Sequence, residues 1–175
     1  DFQKLSDTKS PQGITAICKI PDEIDEYIKA KTIIGLEDIS DPGNLGTIFR
    51  NCDWFGFDQI LLSENCAEVY NPKVLRSSMG SAFHLRISET QSFVEQLKLL
   101  QQKGYKIIAA DLNGTDLNEY RSEKKSVIVF CNEANGPSKE LEKIVDTAQQ
   151  HDVQVMISVG GWGWDAQFEA MASDP

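Results

Sequence analysis

The stretch from Ile33 to Gly56 constrains the fold of this chain more than any other part of its sequence. It opens on a short apolar run, residues 33–36, which has the length of a buried strand. An acidic segment with Pro, Gly and Asn follows at residues 37–44, and such residues indicate a turn. Apolar side chains then recur at helical spacing: Ile48, Cys52 and Phe55. These signals predict a strand, a tight loop and a helix.

The same unit predicts a place where a negatively charged group can bind. We expect Asn44, Gly46 and Arg50 at the start of the helix, where backbone N–H groups have no partner in the helix and favour anions. Arg50 adds a planar, permanently charged guanidinium of the shape that fits a phosphate. A plain strand-to-helix turn with a surface arginine explains the same residues, so the pattern alone leaves both interpretations open.

Strand and helix patterns alternate along the rest of the chain. Buried or half-buried strands are predicted at residues 13–20, 59–63, 105–112 and 127–131. Helices are predicted at residues 22–30, from residue 72, at 93–103 closed by a glycine, and from residue 139. This alternation predicts an α/β fold, a mostly parallel sheet with helices on both faces.

The charge of the chain restricts its partners. The formal net charge is −10, whereas nucleic-acid binding usually needs a basic surface. An acidic chain can therefore bind RNA only through a local cluster of cations or through a separate domain. One such cluster is offered by Lys73 and Arg76, which follow the helix-start signal Asn71-Pro72 and lie three residues apart on one helical face. A solvated basic turn is the alternative interpretation.

Cysteine usage and hydropathy further restrict the class of protein to which this chain can belong. The four cysteines are scattered, without a CxxC pair and with two histidines in the chain, so the sequence predicts no metal site. We expect a reduced, cytoplasmic protein. No run of 18 apolar residues occurs, so no membrane span is predicted. Residues 1–13 lack the pattern of a secretory signal, and 175 residues fit one domain.

Small residues and loops complete the pattern. Ser77, Ser78, Gly80 and Ser81 make a surface that another backbone can approach closely. Asn113-Gly114 follows a predicted strand and suits either a hairpin turn or a ligand loop. The segment NEANGPS, residues 132–138, follows the last predicted strand, and its serine is placed to cap the next helix.

Three segments in register resemble the SpoU/TrmH branch of the SPOUT RNA methyltransferases. They are DPGNLGTIFRNCDWFG from residue 41, NPKVLRSSMGSAFHL from residue 71 and NEANGPS from residue 132, within a resemblance that covers residues 5–146. It implies a SPOUT-like α/β fold, S-adenosylmethionine as the cofactor and transfer of a methyl group to a ribose 2′-hydroxyl of rRNA or tRNA. It also implies a homodimer. Cys131 stands where the family has glycine, so its side chain is expected to crowd the cofactor.

The resemblance implies roles for individual residues. Arg50, Asn44 and Glu133 would be catalytic, and Lys73, Arg76 and Ser78 would hold the RNA. The residues implied for the cofactor lie in two loops, and they are Leu112, Asn113, Gly114, Cys131, Asn132, Glu133 and Gly136. No metal is implied.

The last part of the chain departs from that family. The family's final Ser-Leu-Asn loop is absent, and VQVMISVGGWGWDAQFEAMASDP from residue 153 resembles a strand–helix piece of chitinase-like TIM-barrel glycoside hydrolases. We expect residues 1–146 to form the catalytic domain and residues 147–175 an atypical strand–loop–helix that completes it, as in a chimera. The changed loop at residues 160–164 predicts weaker cofactor binding. An inactive scaffold is the alternative function. A carbohydrate-active fragment is disfavoured because no DxxDxDxE array occurs.

Overall fold

A computed structural model describes residues 30–110 and 125–149, together with residues 13, 14, 17, 19 and 20. The strands are β1 (Thr32–Glu37), β2 (Gln59–Ser63), β3 (Arg86–Thr90), β4 (Lys106–Ala109) and β5 (Ser126–Cys131). The helices are α1 (Pro42–Phe55), α2 (Pro72–Ser78), α3 (Phe93–Gln102) and α4 (Lys139–Gln149), with a 3₁₀ turn at Ser81–Phe83.

The five strands form one sheet in the order β3-β2-β1-β5-β4, and every pairing is parallel. In the central pairing Thr32 lies opposite Ser126, and the register runs on to Glu37 opposite Cys131. The predicted α/β architecture is therefore confirmed. The predicted strand at residues 59–63 matches β2 at both ends.

Each face of the sheet carries its own apolar core. On one face, Phe93, Leu97 and Leu100 of α3 and Leu141 and Ile144 of α4 pack against the strands. On the other face, helices α1 and α2 bury another set of side chains, namely Leu45, Phe49, Cys52 and Val74. Because a parallel sheet must have both faces covered, these two layers account for the nearly continuous burial of β1 and β2.

Helix α1 begins earlier than the sequence pattern indicated. Its N-cap is Asp41 and its first residue is Pro42, whose fixed φ suits that position. The helix ends at Gly56, which adopts a left-handed conformation with φ of 75°. Arg50 is consequently in the middle of the helix, beyond the first turn. The prediction that Arg50 stands at the helix start was wrong, because Asp41-Pro42 is the stronger start signal.

The predicted strand at residues 13–20 is absent at the positions that the structure describes there. Ile14 and Ile17 are not in a strand, and their side chains are 87% and 100% exposed. Among the described strands the edges of the sheet are β3 and β4, and alternation along the chain by itself supplies no hydrogen-bond partner. The predicted helix at 22–30, the loop at 112–114 and the tail at 151–175 lie outside the described residues.

Candidate functional site

The carboxyl ends of β1 and β5 lie side by side in the centre of the sheet. In the sheet, β2 and β3 lie on one side of β1, whereas β5 and β4 lie on its other side. Ligands of open α/β sheets bind in the crevice at such a switch point. The segments that leave these two strand ends are residues 37–41 and residues 131–138, the latter named here the β5–α4 loop.

Direct hydrogen bonds join the two segments. The Asn132 side-chain amide donates to the backbone oxygen of Asp38 at 2.9 Å. The backbone N–H of Ser138 donates to one carboxylate oxygen of Glu37 at 2.9 Å, and the Ser138 hydroxyl donates to the other at 2.6 Å. Glu37 is only 6% exposed. Sequence reasoning missed Glu37, because the sole hint was an acidic residue at the end of an apolar strand.

The turn after β1 is held from its other side by β2. Asp38 adopts a positive φ of 58°, which is uncommon for a residue other than glycine. Its backbone N–H donates to the Ser63 hydroxyl oxygen at 2.8 Å, and that hydroxyl donates to the Asp38 carboxylate at 2.7 Å. The turn is therefore fixed by β2 and by the β5–α4 loop together.

The N-terminus of α1 is already occupied by a carboxylate of the chain itself. Asp41 accepts the backbone N–H of Asn44 at 2.8 Å and pairs with the Lys73 ammonium at 2.9 Å. These contacts, the one with Lys73 first, lower the pKa of Asp41 below its ordinary value. An incoming anion would meet this negative charge. The expectation of a vacant anion site at this helix start is corrected accordingly.

Helices α1 and α2 approach each other at Gly46. A Cβ on Gly46 would lie 2.5 Å from the backbone oxygen of Val74 and 2.9 Å from the backbone nitrogen of Ser78, and it would also overlap the Ser77 hydroxyl. That hydroxyl lies 3.2 Å from the backbone oxygen of Pro42 across the interface. The predicted close approach to the small residues of α2 is confirmed, and the approaching backbone is that of α1.

The predicted RNA-binding residues divide into accessible and inaccessible ones. Arg50 and Arg76 are exposed, and the Lys73 side chain is 56% exposed in its ion pair. Ser78 is fully buried, and its hydroxyl donates to the backbone oxygen of Leu75 at 3.1 Å. The prediction that Ser78 contacts RNA is therefore corrected, since its side chain is buried and its hydroxyl bonds a backbone oxygen of its own helix.

The β5–α4 loop folds as a tight turn. Asn132 and Gly136 form a bridge, and Gly136 has a φ of 65°. The Glu133 side chain is exposed, while Cys131 is half-buried and packs against the apolar core beside α3 and α4. Ser138 caps α4, as predicted, by accepting the backbone N–H of Leu141 at 3.2 Å.

Two negative observations apply to the described part of the chain. No three His, Cys, Asp or Glu side chains there come together as ligands for a metal ion. None of the described helices has the length and apolar character needed to cross a membrane.

Comparison with known proteins identifies the family of this chain. A model of the SpoU rRNA methylase family matches residues 31–155, which include every described strand and helix. The chain belongs to this family. A 23S rRNA (guanosine(2553)-2′-O)-methyltransferase of Bacillus subtilis is 32% identical over 148 residues, which are 83% of this chain and 58% of that relative.

Solved structures of SpoU and TrmH proteins share the fold. A TrmH-family protein from Porphyromonas gingivalis superimposes with a TM-score of 0.80 at 27% identity, and the match covers 93% of this chain and 63% of that one. An AdoMet-bound rRNA methyltransferase from Sinorhizobium meliloti gives a TM-score of 0.57 at 30% identity, covering 64% of this chain and 43% of that one. The chain thus spans less than two-thirds of the length of these proteins.

The same matches bear on the last residues of the chain. The family model extends to residue 155. The comparisons therefore give no support to a glycoside hydrolase origin of this segment or to a chimera.

Proposed function

We propose that this SpoU protein transfers a methyl group from S-adenosylmethionine to a ribose 2′-hydroxyl of rRNA or tRNA. The observation that carries the proposal is the hydrogen bond from Asn132 to the backbone of Asp38. It joins the two motif-bearing segments at the switch point of the sheet, where ligands of this fold class bind. Family membership and the Bacillus subtilis 2′-O-methyltransferase support the reaction type.

The reaction requires an oriented hydroxyl and an acceptor for its proton. When bound, S-adenosylmethionine supplies an electrophilic methyl group. Arg50 lies on the exposed side of α1, and because a guanidinium stays protonated in proteins, it would act through its charge on the RNA phosphate and the attacking oxygen. Asn44 of α1 and Glu133 of the β5–α4 loop are exposed polar residues, and in this proposal they orient that hydroxyl.

The RNA would be held beside them by α2. Lys73 and Arg76 are the exposed cations of this short helix, and they form a local basic patch on a chain with a net charge of −10. Lys73 forms an ion pair with Asp41, so a phosphate would have to compete with the Asp41 carboxylate for the Lys73 ammonium. Arg76 is therefore the stronger of the two proposed phosphate ligands.

The β5–α4 loop fits one wall of a nucleoside pocket. A Cβ built on Gly136 would meet no heavy atom of the described residues within 4 Å, so open space adjoins that backbone in this part of the structure. Glu133 presents an exposed carboxylate, and a carboxylate is a suitable acceptor for ribose hydroxyls. Cys131 packs into the core, which supports a pocket that its side chain does not crowd. We propose that residues 131–136 hold the cofactor together with Leu112-Asn113-Gly114.

The remaining parts of the proposal concern the domain, the oligomeric state and the cellular location of the protein. We propose one catalytic domain over residues 1–146, completed by residues 147–175, that works as a homodimer in the cytoplasm. Among the described residues, the free thiols of Cys52 and Cys66 support a reducing compartment.

The test is transfer of labelled methyl from S-adenosylmethionine to rRNA and tRNA, with the modified ribose located by its resistance to alkaline cleavage. We expect Arg50→Ala to reduce transfer at least about a hundredfold, the scale of losing one charged contact to a developing oxyanion. Melting should stay unchanged because the side chain is exposed.

The matched control is Arg86→Ala. Arg86 is also exposed but lies at the start of β3, opposite the start of β2 and at the other end of the sheet. Equal activity of the wild type and Arg50→Ala would remove Arg50 from the mechanism, and transfer to a base in place of the ribose would overturn the proposed reaction.

A further inference from the structure

We propose that Glu37 is a positioning residue that holds the β5–α4 loop in place through Ser138. The consequence for catalysis rests on the proposed function, whereas the positioning itself does not. Glu37 ends β1 and Ser138 precedes α4, and the two residues are 101 positions apart in the chain.

The contact has the form of a buried, charge-assisted clamp. Both carboxylate oxygens of Glu37 accept hydrogen bonds, one from the N–H and one from the hydroxyl of Ser138. Among the described residues Glu37 forms no ion pair, so these donors and the positive end of α4 offset the cost of burying a carboxylate. The Ser138 hydroxyl in turn caps α4 through Leu141.

The clamp closes one end of the loop, and Asn132 closes the other. The Asn132 side chain reaches the backbone of Asp38, the residue after Glu37. Between these two anchors lie the proposed ligands Glu133 and Gly136. Glu37 at the end of β1 and the next residue, Asp38, therefore fix the two ends of the loop. At the Glu37 end, the carboxylate and the Ser138 hydroxyl can be varied without changing the residues of the turn.

Amide hydrogen exchange of the free protein tests the clamp. The informative amides are Ala134, which donates to the Asn132 side chain, and Gly136, which donates to the Asn132 backbone. Neither acceptor belongs to Glu37 or Ser138. In Glu37→Gln and Ser138→Ala we expect both amides to exchange about tenfold to a hundredfold faster, the scale of losing a hydrogen bond to a charged group. Amides of β5 should keep their rates.

Two further variants control the result. Ser138→Thr keeps the hydroxyl and should restore slow exchange, while Glu64→Gln changes an exposed glutamate directly after β2 and should have no effect. In the Glu37→Gln background, Ser138→Ala should not further accelerate the exchange of the Ala134 and Gly136 amides. Unchanged exchange at Ala134 and Gly136, or equal acceleration across β5, would overturn the proposal. Because neither cofactor nor RNA is present, this outcome is independent of whether methyl transfer is found.

Discussion

Two regions flank the proposed site, and they are held by different forces. At the corner of α1 and α2, Gly46 lets one backbone touch another, with no room for a methyl group. In the β5–α4 loop, position is set by hydrogen bonds from Asn132 and Ser138 to the end of β1. Adding atoms to the sterically fixed region causes steric overlap and destabilises the whole fold. Removing a hydrogen bond from the second region increases the mobility of that loop alone. The cations are attached to the first region and the proposed cofactor ligands to the second.

The largest effect is expected from Gly46→Ala. Its Cβ would overlap backbone atoms of α2, which cannot rotate away. We expect a loss of about 3 kcal/mol in the free energy of unfolding, measured by denaturant titration. Gly43→Ala is the control in the same helix, because its Cβ would meet side-chain atoms of Asp41 and Lys73. If the loss of unfolding free energy in Gly46→Ala is within about 0.5 kcal/mol of the loss in the control, the contact between α1 and α2 can adjust to the added methyl group.

A smaller and local effect is expected from Asn132→Ala. The variant loses the bonds to the Asp38 oxygen and to the Ala134 N–H. We expect about 1 kcal/mol less global stability but faster exchange throughout the β5–α4 loop. Global unfolding as severe as in Gly46→Ala would contradict the distinction between the two regions.

The smallest effect is expected on the stability of the protein at acidic pH. The pKa of Asp41 is lowered, first by Lys73, so its unfolded form binds a proton at higher pH than its folded form. The stability it contributes is present above the ordinary value of 3.8 and is lost as the pH falls through the lowered pKa of the folded state. We expect Asp41→Asn to flatten the melting temperature across this range. An unchanged pH profile would exclude the Asp41–Lys73 pair as a contributor.

The sequence predicted those features that depend on neighbours along the chain. The bounds of β2, the Ser138 cap and the small-residue surface of α2 follow from local patterns and are present in the structure. Features that depend on distant partners were missed. Glu37 acquires its role from a residue 101 positions away, and Ser78 is buried in the folded chain. Alternation at residues 13–20 predicted a strand, whereas the described positions Ile14 and Ile17 are exposed and not in a strand.

The central claim is that the β5–α4 loop forms a wall of the S-adenosylmethionine site. Titration of the cofactor into the isotopically labelled chain, followed by amide chemical shifts, tests it most directly. We predict saturable shifts at Ala134, Gly136 and Ser138, with no change along α3, whose Phe93, Leu97 and Leu100 are buried in the apolar core. Saturable shifts confined to α3, or none at millimolar cofactor, would contradict the account.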